Sequence, residues 1–478
     1  MTIHTLEHFI DGKYRKTDGG DLFELISPVT GKVHAISPNA TQEDVDIAYI
    51  SAKKASKTWG KTTPAVRQKA LLDLANAIED NLERLVNAQS IETGQLKHMI
   101  AQEEVKASAD HIRFFAGAAR CLEGKSTGEY LEGFSSSIRR EPLGVVGQVA
   151  PWNYPFMMAV WKIAPALAAG NTVVLKPSDT TPTSSLILAE IAAPFFPQGT
   201  FNVVLGKAEA GSRVVSHLTP ALVSITGSVR AGLQVAASAA SNLAKAHLEL
   251  GGKAPVVVFA DTNISKAIES IATAAFFNAG QDCTAAARIL VESSIYDEFT
   301  DGLIDYTKKN IKCGTPDDTH ALYGALNNKN QLNQVQGFLQ RLPSHANIVL
   351  GGNPIESAGF YFEPTIVTGL QQQDEMIQTE IFGPIITIQS FQTDDEALEK
   401  ANDVEYGLAS SVWTQNHSRA LRFSRDLDFG TVWINAHIPL VAEMPHGGFK
   451  KSGYGKDLSS YGLEEYMRIK HVMSAYET

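Results

Sequence analysis

Three side chains stand in local settings suited to covalent chemistry at a carbonyl carbon. Cys283 follows the polar turn Asn278-Ala-Gly-Gln-Asp and precedes a predicted strand, which places its thiol on a loop over a rigid scaffold. Asn153 lies between two prolines and offers a stiffly held amide that can donate to an oxyanion. Glu249 is a single carboxylate among apolar neighbours at a predicted strand end, a setting that suits a general base. Together they predict a nucleophile, an oxyanion donor and a base.

Each of these residues also has an ordinary structural interpretation. A lone cysteine is commonly a small buried hydrophobe, which is what we expect of Cys121 and Cys313. Asn153 could be a turn residue, and Glu249 could pair with Lys253 at the strand end. Three widely spaced cysteines without a CxxC pair indicate neither a disulfide framework nor a thiolate zinc site. We therefore expect no metal site and a reducing, cytoplasmic location.

The elements that must position these residues follow an alternating pattern. Short apolar runs alternate with helical stretches from residue 144 onward, which indicates parallel βαβ units. We predict strands at 145–149, 172–175, 201–204, 222–225 and 245–248, with helices at 157–169, 184–193 and 230–240. A second series begins with a strand at 256–259, a helix at 264–277 and a strand at 287–291. The chain thus predicts two doubly wound α/β domains.

Charge and hydropathy exclude several classes of partner. The formal charge is −11, without long Lys or Arg runs, which argues against nucleic acid or an anionic lipid surface. The most apolar window, Met157 to Gly170, is interrupted by Lys162 and Pro165 and is too short to span a bilayer. The N-terminus lacks the basic start and apolar core of a signal peptide. A small-molecule ligand is the expected partner.

Two short motifs suit a dinucleotide, although no GxGxxG fingerprint follows a strand in the expected place. Lys176-Pro-Ser178-Asp179 closes a predicted strand, so Lys176 could hold a ribose hydroxyl or a phosphate and Asp179 could accept from the adenosine ribose. Ile225-Thr-Gly-Ser228 enters a helix whose free N–H groups suit a pyrophosphate. Each motif is weak alone.

In combination, these motifs resemble the aldehyde dehydrogenase superfamily over nearly the whole chain. The motifs occur in the family's order and approximate spacing: Pro151-Trp-Asn-Tyr-Pro155, Lys176-Pro-Ser178, Ile225-Thr-Gly-Ser228, Leu248-Glu-Leu-Gly-Gly-Lys253, Gly280-Gln-Asp-Cys283, Glu380-Ile-Phe-Gly-Pro384 and Pro445-His-Gly-Gly-Phe-Lys450.

The resemblance implies a role for each motif. Cys283 would be the nucleophile, Glu249 the general base and Asn153 the oxyanion donor, in an oxidation of aldehyde to acid through a thioester. The cofactor would be NAD, with NADP possible, because Asp179 near the ribose repels a 2'-phosphate while Lys176 can meet one. The implied cofactor contacts are Pro151, Trp152, Lys176, Ser178, Asp179, Gly227, Ser228, Glu380 and Phe382.

The family's fold also implies a domain division. Residues 1–123 and 142–250 would form the cofactor domain, and 251–446 the catalytic domain. Segments 124–141 and 447–478 would serve oligomerisation, with the hairpin pairing with the tail of a neighbouring subunit. We expect a homodimer or homotetramer.

For the substrate, four further segments are most similar to bacterial 4-aminobutanal (γ-aminobutyraldehyde) dehydrogenases, enzymes of polyamine degradation. They are Phe114-Phe-Ala-Gly-Ala-Ala-Arg-Cys121, Gly128-Glu-Tyr-Leu-Glu-Gly133, Ile138-Arg-Arg140 and Met444-Pro-His-Gly-Gly448. An amino-aldehyde carries an ammonium group, so its tunnel should offer carboxylates and aromatic faces. Glu104, with Asp110, lies on a predicted helix that borders the tunnel by resemblance, and Tyr154 and Trp161 are seven residues apart on one helical face. These four residues are the predicted substrate contacts. The ordinary alternative is that the acidic residues lie on a solvent-exposed helix face and that the Tyr/Trp pair packs in the core.

Alternative interpretations remain open. Betaine aldehyde, succinate semialdehyde or a broad range of aldehydes could be the substrate, and an Arg pair in the tunnel, such as Arg113 with Arg120, would favour the succinate compound. Arg113 could instead pair with Asp110. A CoA-acylating enzyme is disfavoured because Glu249 is present, and a catalytically silent scaffold because Cys283, Glu249 and Asn153 occur together.

Overall fold

The computed structural model of the protein describes residues 3–17 and 19–476. The predicted domains begin at residue 1 and end at residue 478, so their first two and last two residues lie outside the described residues. An eight-stranded sheet forms the first large layer, with five parallel strands in its middle and antiparallel strands at both edges. In spatial order its strands are Gly453–Tyr454, Lys245–Leu250, Leu222–Gly227, Val145–Val149, Thr172–Lys176, Phe201–Val203, His8–Ile10 and Lys13–Arg15.

Both faces of this sheet are covered by helices. Val173 and Leu175 point into one apolar core, and Val174 between them points into another on the opposite face. This alternation follows from the two-residue period of a strand, and uninterrupted apolar runs are typical of strands buried on both faces. The covering helices are Gln42–Trp59, Pro64–Asp80, Leu82–Thr93, Ala107–Ala118, Pro155–Ala169, Thr183–Ala192, Ala208–Ser216 and Val229–Ser241.

A seven-stranded sheet forms the second layer and is parallel except for one edge pair. Its strands, in spatial order, are Asn347–Leu350, Thr365–Thr368, Ile385–Phe391, Arg288–Glu292, Pro255–Val258, Ala409–Trp413 and Thr431–Ile434. The helices of this half are Ile264–Phe276, Tyr296–Asn310, Lys329–Gln340, Glu375–Gln378, Asp394–Asn402 and His417–Asp426, whereas the later helix Ser459–Glu465 packs into the core of the first half through Leu463. The predicted fold, with two doubly wound α/β sheets, is confirmed.

The hairpin and the tail pair with each other within the chain. Strands Gly128–Leu131 and Phe134–Pro142 form the hairpin, and Phe134–Pro142 pairs antiparallel with Met467–Ala475 of the same chain. Other parts of the segment 447–478 pair elsewhere. Gly453–Tyr454 joins the eight-stranded sheet, and Phe449–Lys450 pairs with Tyr406–Gly407. The tail therefore returns to its own hairpin only after forming a separate two-stranded sheet and joining the edge of the eight-stranded sheet.

One further small sheet combines His4–Thr5, Val33–Pro38 and Leu22–Ile26. Among the residues that the structure describes, no helix is long and apolar enough to cross a membrane.

Candidate functional site

The site lies where the parallel strands of the first sheet end. The strand ends at Val149, Gly227 and Leu250 deliver the segments after them to one edge, where ligands bind in open α/β sheets. A cavity of about 240 Å³ at this edge contains Asn153, Glu249 and Cys283 together. The three predicted catalytic side chains, which come from distant parts of the sequence, thus share one enclosed space.

The loop that carries Cys283 is held in an unusual backbone conformation. Helix Ile264–Phe276 runs into the 3₁₀ turn Phe277–Gly280, in which Asn278, Ala279 and Gly280 have φ values of 49°, 57° and 66°. Consecutive positive φ angles are costly for residues with a Cβ and concentrate at functional sites. At Gly280 a Cβ would lie 2.2 Å from the carbonyl oxygen of Gly383. The turn therefore presses the cysteine loop against the segment that carries Phe382.

Gly280→Ala should destabilise the protein by about 2 kcal/mol or more, because it combines a positive φ with a clash against backbone. The midpoint of thermal unfolding should fall by several degrees. A matched control is Gly117→Ala in helix Ala107–Ala118, where a Cβ meets no atom within 4 Å. That substitution should leave the midpoint unchanged or raise it. Equal shifts for both variants would contradict the packing described for Gly280.

Cys283 and Glu249 contact each other directly. The thiol donates a hydrogen bond to Glu249 Oε1 over 3.4 Å. Burial raises the pKa of the Cys283 thiol well above its usual value, and the carboxylates of Glu249, Asp282 and Glu380 raise it further. The thiol is thus protonated in the free protein, and the acceptor for its proton is already in place. Gly252 makes this approach possible, since a Cβ there would lie 2.1 Å from the Cys283 carbonyl oxygen.

Asn153 is buried beside the cysteine loop. Its side-chain Nδ2 donates to the backbone carbonyl of Gln281 over 3.1 Å. Its backbone carbonyl accepts from Asn278 Nδ2 and from Gln95 Nε2, each over 2.9 Å. These bonds fix the amide at the rim of the cavity that holds Cys283. A preorganised amide in a cavity of low polarity is well suited to meet a developing negative charge.

His446 is a residue of the site that no sequence pattern singled out. It lies in the Pro445-His-Gly-Gly motif, is buried, and brings Nε2 within 3.4 Å of Glu249 Oε1. Its ring packs edge-on against Trp161, with centroids 5.4 Å apart. Only the position of His446 within that motif could have pointed to it.

A second group of unpredicted residues lies behind Glu249. Lys162 and Asp457 are completely buried, and Asp457 approaches His247 Nε2 at 3.5 Å. Burial lowers the pKa of Lys162, while the charges of Asp457 and Glu249 act in the opposite direction. Three ionisable side chains thus surround the inner end of the site.

Six of the predicted cofactor residues line the same cavity. They are Pro151, Trp152, Gly227, Ser228, Glu380 and Phe382. The rings of Trp152 and Phe382 meet edge-on at 5.3 Å, and Phe382 has a φ of 56°. Glu380 Oε1 accepts from the Gly252 N–H over 2.8 Å, and burial raises the pKa of Glu380 to about 8. Ser228 caps helix Val229–Ser241, whose N-terminus faces this edge.

The other three predicted cofactor residues lie outside that cavity, at the end of the neighbouring strand. Lys176 and Ser178 are buried, and Ser178 Oγ donates to Asp179 Oδ1 over 3.3 Å. The Lys176 chain runs toward helix Ala208–Ser216, where a Cβ at Gly211 would contact its Cδ at 3.8 Å. A lysine and a carboxylate therefore lie close together at the end of this strand.

Tyr154 and Trp161 line both this cavity and a wider one of about 820 Å³ that adjoins it. Tyr154 OH donates to Asp282 Oδ2 over 2.7 Å, and Trp161 Nε1 donates to His111 Nδ1 over 2.9 Å. Asp282, which was not among the predicted site residues, lines both cavities. The wide cavity thus leads past aromatic rings and a carboxylate to Cys283.

Glu104 and Asp110 do not line these two cavities, which corrects their prediction as substrate contacts. Glu104 is buried, accepts from Gln89 Nε2 over 2.6 Å, and has its pKa raised to about 7 by burial. Asp110 is exposed. The segment Ile100–Lys106 is a π-helix, whose i→i+5 bonds shift the phase of the side chains from the α-helical period assumed for it. Glu103, one residue earlier, lines the wide cavity instead.

The arginine pair that would favour succinate semialdehyde is also absent from both cavities. Arg113 pairs with Glu79 over 2.6 Å rather than with Asp110, and Arg120 lies near Gln68 on the surface. Neither guanidinium faces the tunnel.

Comparison with known proteins identifies the family. Residues 14–472 match the model of the aldehyde dehydrogenase family, and the chain belongs to that family. An aldehyde dehydrogenase of Rhodospirillum rubrum is 37% identical, with 98% of this chain and 95% of the relative covered. The chloroplastic betaine aldehyde dehydrogenase of Atriplex hortensis is also 37% identical, at the same coverage.

Solved structures give the same result. Betaine aldehyde dehydrogenase of Staphylococcus aureus, in complex with NAD+, aligns with a TM-score of 0.95 at 34% identity, covering 99% of this chain and 95% of that one. An NAD-dependent aldehyde dehydrogenase of Sinorhizobium meliloti aligns with a TM-score of 0.96 at 35% identity and the same coverage. The relatives carry several substrate names at nearly equal identity, including a long-chain-aldehyde dehydrogenase of Acinetobacter that is 37% identical and covers 99% of this chain and 95% of that relative. Identity alone therefore selects no substrate.

Proposed function

We propose that the protein oxidises an amino-aldehyde, with 4-aminobutanal as the model substrate, to the carboxylic acid with NAD as the acceptor. The observation that carries this proposal is the 3.4 Å contact between Cys283 Sγ and Glu249 Oε1, at the inner end of a tunnel with a carboxylate in its wall.

The first step is addition of the Cys283 sulfur to the aldehyde carbon. Glu249 accepts the thiol proton, and the sulfur–carbon bond forms as the carbonyl electrons move to oxygen. The Asn153 amide, held at the rim of the cavity, donates to this oxyanion. The result is a tetrahedral carbon that can lose hydride, which a planar aldehyde cannot do.

The bound dinucleotide supplies the hydride acceptor. Trp152, Glu380 and Phe382 would hold its nicotinamide half beside Cys283, and Lys176 with Asp179 its adenosine half. Loss of hydride leaves a thioester on Cys283. Glu249 first releases the thiol proton to solvent and, as a carboxylate again, takes a proton from water. The hydroxide oxygen bonds to the acyl carbon, and the thiolate leaves with the electron pair of the sulfur–carbon bond.

We propose NAD over NADP because of Asp179. Its carboxylate, adjacent to Ser178 and partly exposed, would repel a 2'-phosphate and accept from a 2'-hydroxyl. The buried Lys176 would bind a hydroxyl group of the same ribose.

The acidic character of the tunnel supports a cationic aldehyde. Three carboxylates line the wide cavity, those of Glu103, Glu269 and Asp282, against the single ammonium of Lys266. Asp282 is next to the nucleophile, so it lies within reach of an ammonium a few bonds from the aldehyde carbon. A primary ammonium can donate to Asp282, whereas the trimethylammonium of betaine aldehyde has no N–H to donate. This difference favours the amino-aldehyde.

Asp282→Asn tests the substrate assignment. We expect it to lower kcat/KM for 4-aminobutanal by about 10- to 100-fold, the size of one charge-assisted hydrogen bond, and to change kcat/KM for butanal much less. NADH formation with each aldehyde gives the ratio. The equilibrium between 4-aminobutanal and its cyclic imine is the same for every variant and cancels from that ratio.

Glu104→Gln is the matched control, since it neutralises a nearby carboxyl that lies outside both tunnel cavities. It should leave the ratio of the two aldehydes unchanged. If Glu104→Gln shifts the ratio and Asp282→Asn does not, Asp282 does not bind the substrate ammonium and the amino-aldehyde assignment is wrong. The chemistry at Cys283 would be unaffected by that outcome.

A further inference from the structure

A three-donor cluster at the inner end of the cavity has a geometry that goes beyond the oxidation chemistry. Cys283 Sγ, a Glu249 carboxylate oxygen and His446 Nε2 all lie within 4.8 Å of one another. The S···O and N···O separations are each 3.4 Å. Tetrahedral Zn²⁺, with bonds of about 2.0 to 2.3 Å, places such donors about 3.4 to 3.6 Å apart. The sulfur and the imidazole nitrogen, which lie within 4.8 Å of each other, must approach by up to about 1 Å to complete such a coordination sphere.

We propose that Cys283, Glu249 and His446 form a site for Zn²⁺ whose occupation inhibits the enzyme reversibly. No metal site was expected from the sequence, because its three cysteines are widely spaced and form no CxxC pair. Thiolate, imidazole and carboxylate together suit Zn²⁺, and the fourth position would face the open cavity and hold a water. Zn²⁺ replaces the thiol proton, which passes to solvent, and the sulfur electron pair is then unable to attack an aldehyde.

Two polar atoms in the cluster support a ligand there. Glu249 Oε2 and His446 Nδ1 are buried and have no hydrogen-bond partner among the residues that the structure describes. The second carboxylate oxygen can therefore turn toward a metal without losing a bond. In stable zinc sites the second ring nitrogen of a histidine ligand donates a hydrogen bond that fixes the ring. Because His446 Nδ1 has no such partner among the described residues, the site should release its metal to chelators.

The metal and the substrate compete for one atom. Zn²⁺ inhibition should accordingly be competitive with the aldehyde and reversed by EDTA. Measuring this inhibition requires the proposed oxidation activity. A second measurement, of metal binding itself, must therefore be independent of turnover. Co²⁺ in place of Zn²⁺ gives a near-ultraviolet thiolate-to-cobalt absorption band only when sulfur is a ligand.

The test uses the full-length protein carrying Cys121→Ser, which removes the exposed thiol. His446→Phe keeps an aromatic ring against Trp161 and deletes the nitrogen donor, and His446→Asn is a second, smaller replacement. His111→Phe is the matched control, because His111 lines the wide cavity but is not one of the three donors. We expect Zn²⁺ inhibition to weaken at least about tenfold in both His446 variants and to be unchanged in His111→Phe.

The cobalt band should appear in the parent protein and in His111→Phe and be lost in Cys283→Ala. Zn²⁺ inhibition of equal strength in the parent and both His446 variants would overturn the proposal, since a lone thiol would then account for it. Absence of the cobalt band in the parent would also overturn it. A protein that forms the band but oxidises no aldehyde would support the metal site and refute the proposed function.

Discussion

Cys283→Ala is expected to reduce aldehyde oxidation on the order of 10⁴-fold or more, because it removes the atom that forms the covalent bond. The variant should retain the fold, since the thiol is partly buried and makes one side-chain hydrogen bond, to Glu249. Steady-state NADH formation with butanal and 4-aminobutanal measures the loss. The variant should still bind NAD, and this binding can be measured by the quenching of tryptophan fluorescence.

The other two cysteines provide the controls. Cys121 is exposed, and Cys313 contacts the carbonyl of Gly324 away from the cavity. Cys121→Ala and Cys313→Ala should each keep a steady-state rate near that of the parent. A Cys283→Ala variant with a comparable rate would eliminate the thioester mechanism.

Glu249→Gln is expected to slow the steady state by on the order of 10²- to 10⁴-fold while leaving a burst of NADH stoichiometric with the subunits. The thioester can still form, because the amide keeps the shape of the carboxylate, but water is no longer activated. Stopped-flow absorbance separates burst from steady state. Because Glu249 also accepts the Cys283 thiol proton, the burst itself should be slower than in the parent.

Glu104→Gln serves as the control for this prediction as well, being a buried carboxyl outside the cavity of Cys283. Its burst and steady state should both resemble the parent's. If the burst disappears entirely in Glu249→Gln while Glu104→Gln is normal, the thioester does not form without the Glu249 carboxylate, and the prediction that water activation is the step most impaired is wrong.

Much of the fold follows from local pattern. The strand predicted at 145–149 is observed as Val145–Val149, and the helix predicted at 264–277 as Ile264–Phe276. Parallel strands buried on both faces leave long apolar runs, and the glycines and prolines between them mark the ends. The residues at those ends, Asn153 and Glu249, could therefore be assigned to the same edge of one sheet from the amino-acid pattern alone.

What local pattern missed depends on long-range arrangement. Arg67 in helix Pro64–Asp80 is buried and donates to the carbonyls of Ala168 and Thr62, a role that its charged side chain gives no local reason to expect. The π-helix that turns Glu104 away from the tunnel has no marker in the hydrophobic period.

His446 and Asp457 could not be predicted as site residues for a related reason. Their backbones form an isolated bridge to each other, in a segment that adds Gly453–Tyr454 to the first sheet. The return of the chain from the second sheet to the first depends on tertiary packing, and it leaves no periodic hydrophobic pattern in the sequence. The cytoplasmic location and the homodimer or homotetramer stay predictions.

The central claim, a covalent acyl group on Cys283, is tested most directly by peptide mass spectrometry of Glu249→Gln after acid quench with NAD and butanal. Butanal is preferred because its acyl group has no amine to attack the thioester. We predict one butanoyl group on the peptide that contains Cys283 and none on those that contain Cys121 or Cys313. NADH formation without any adduct on Cys283, or with the adduct on another cysteine, would contradict the account.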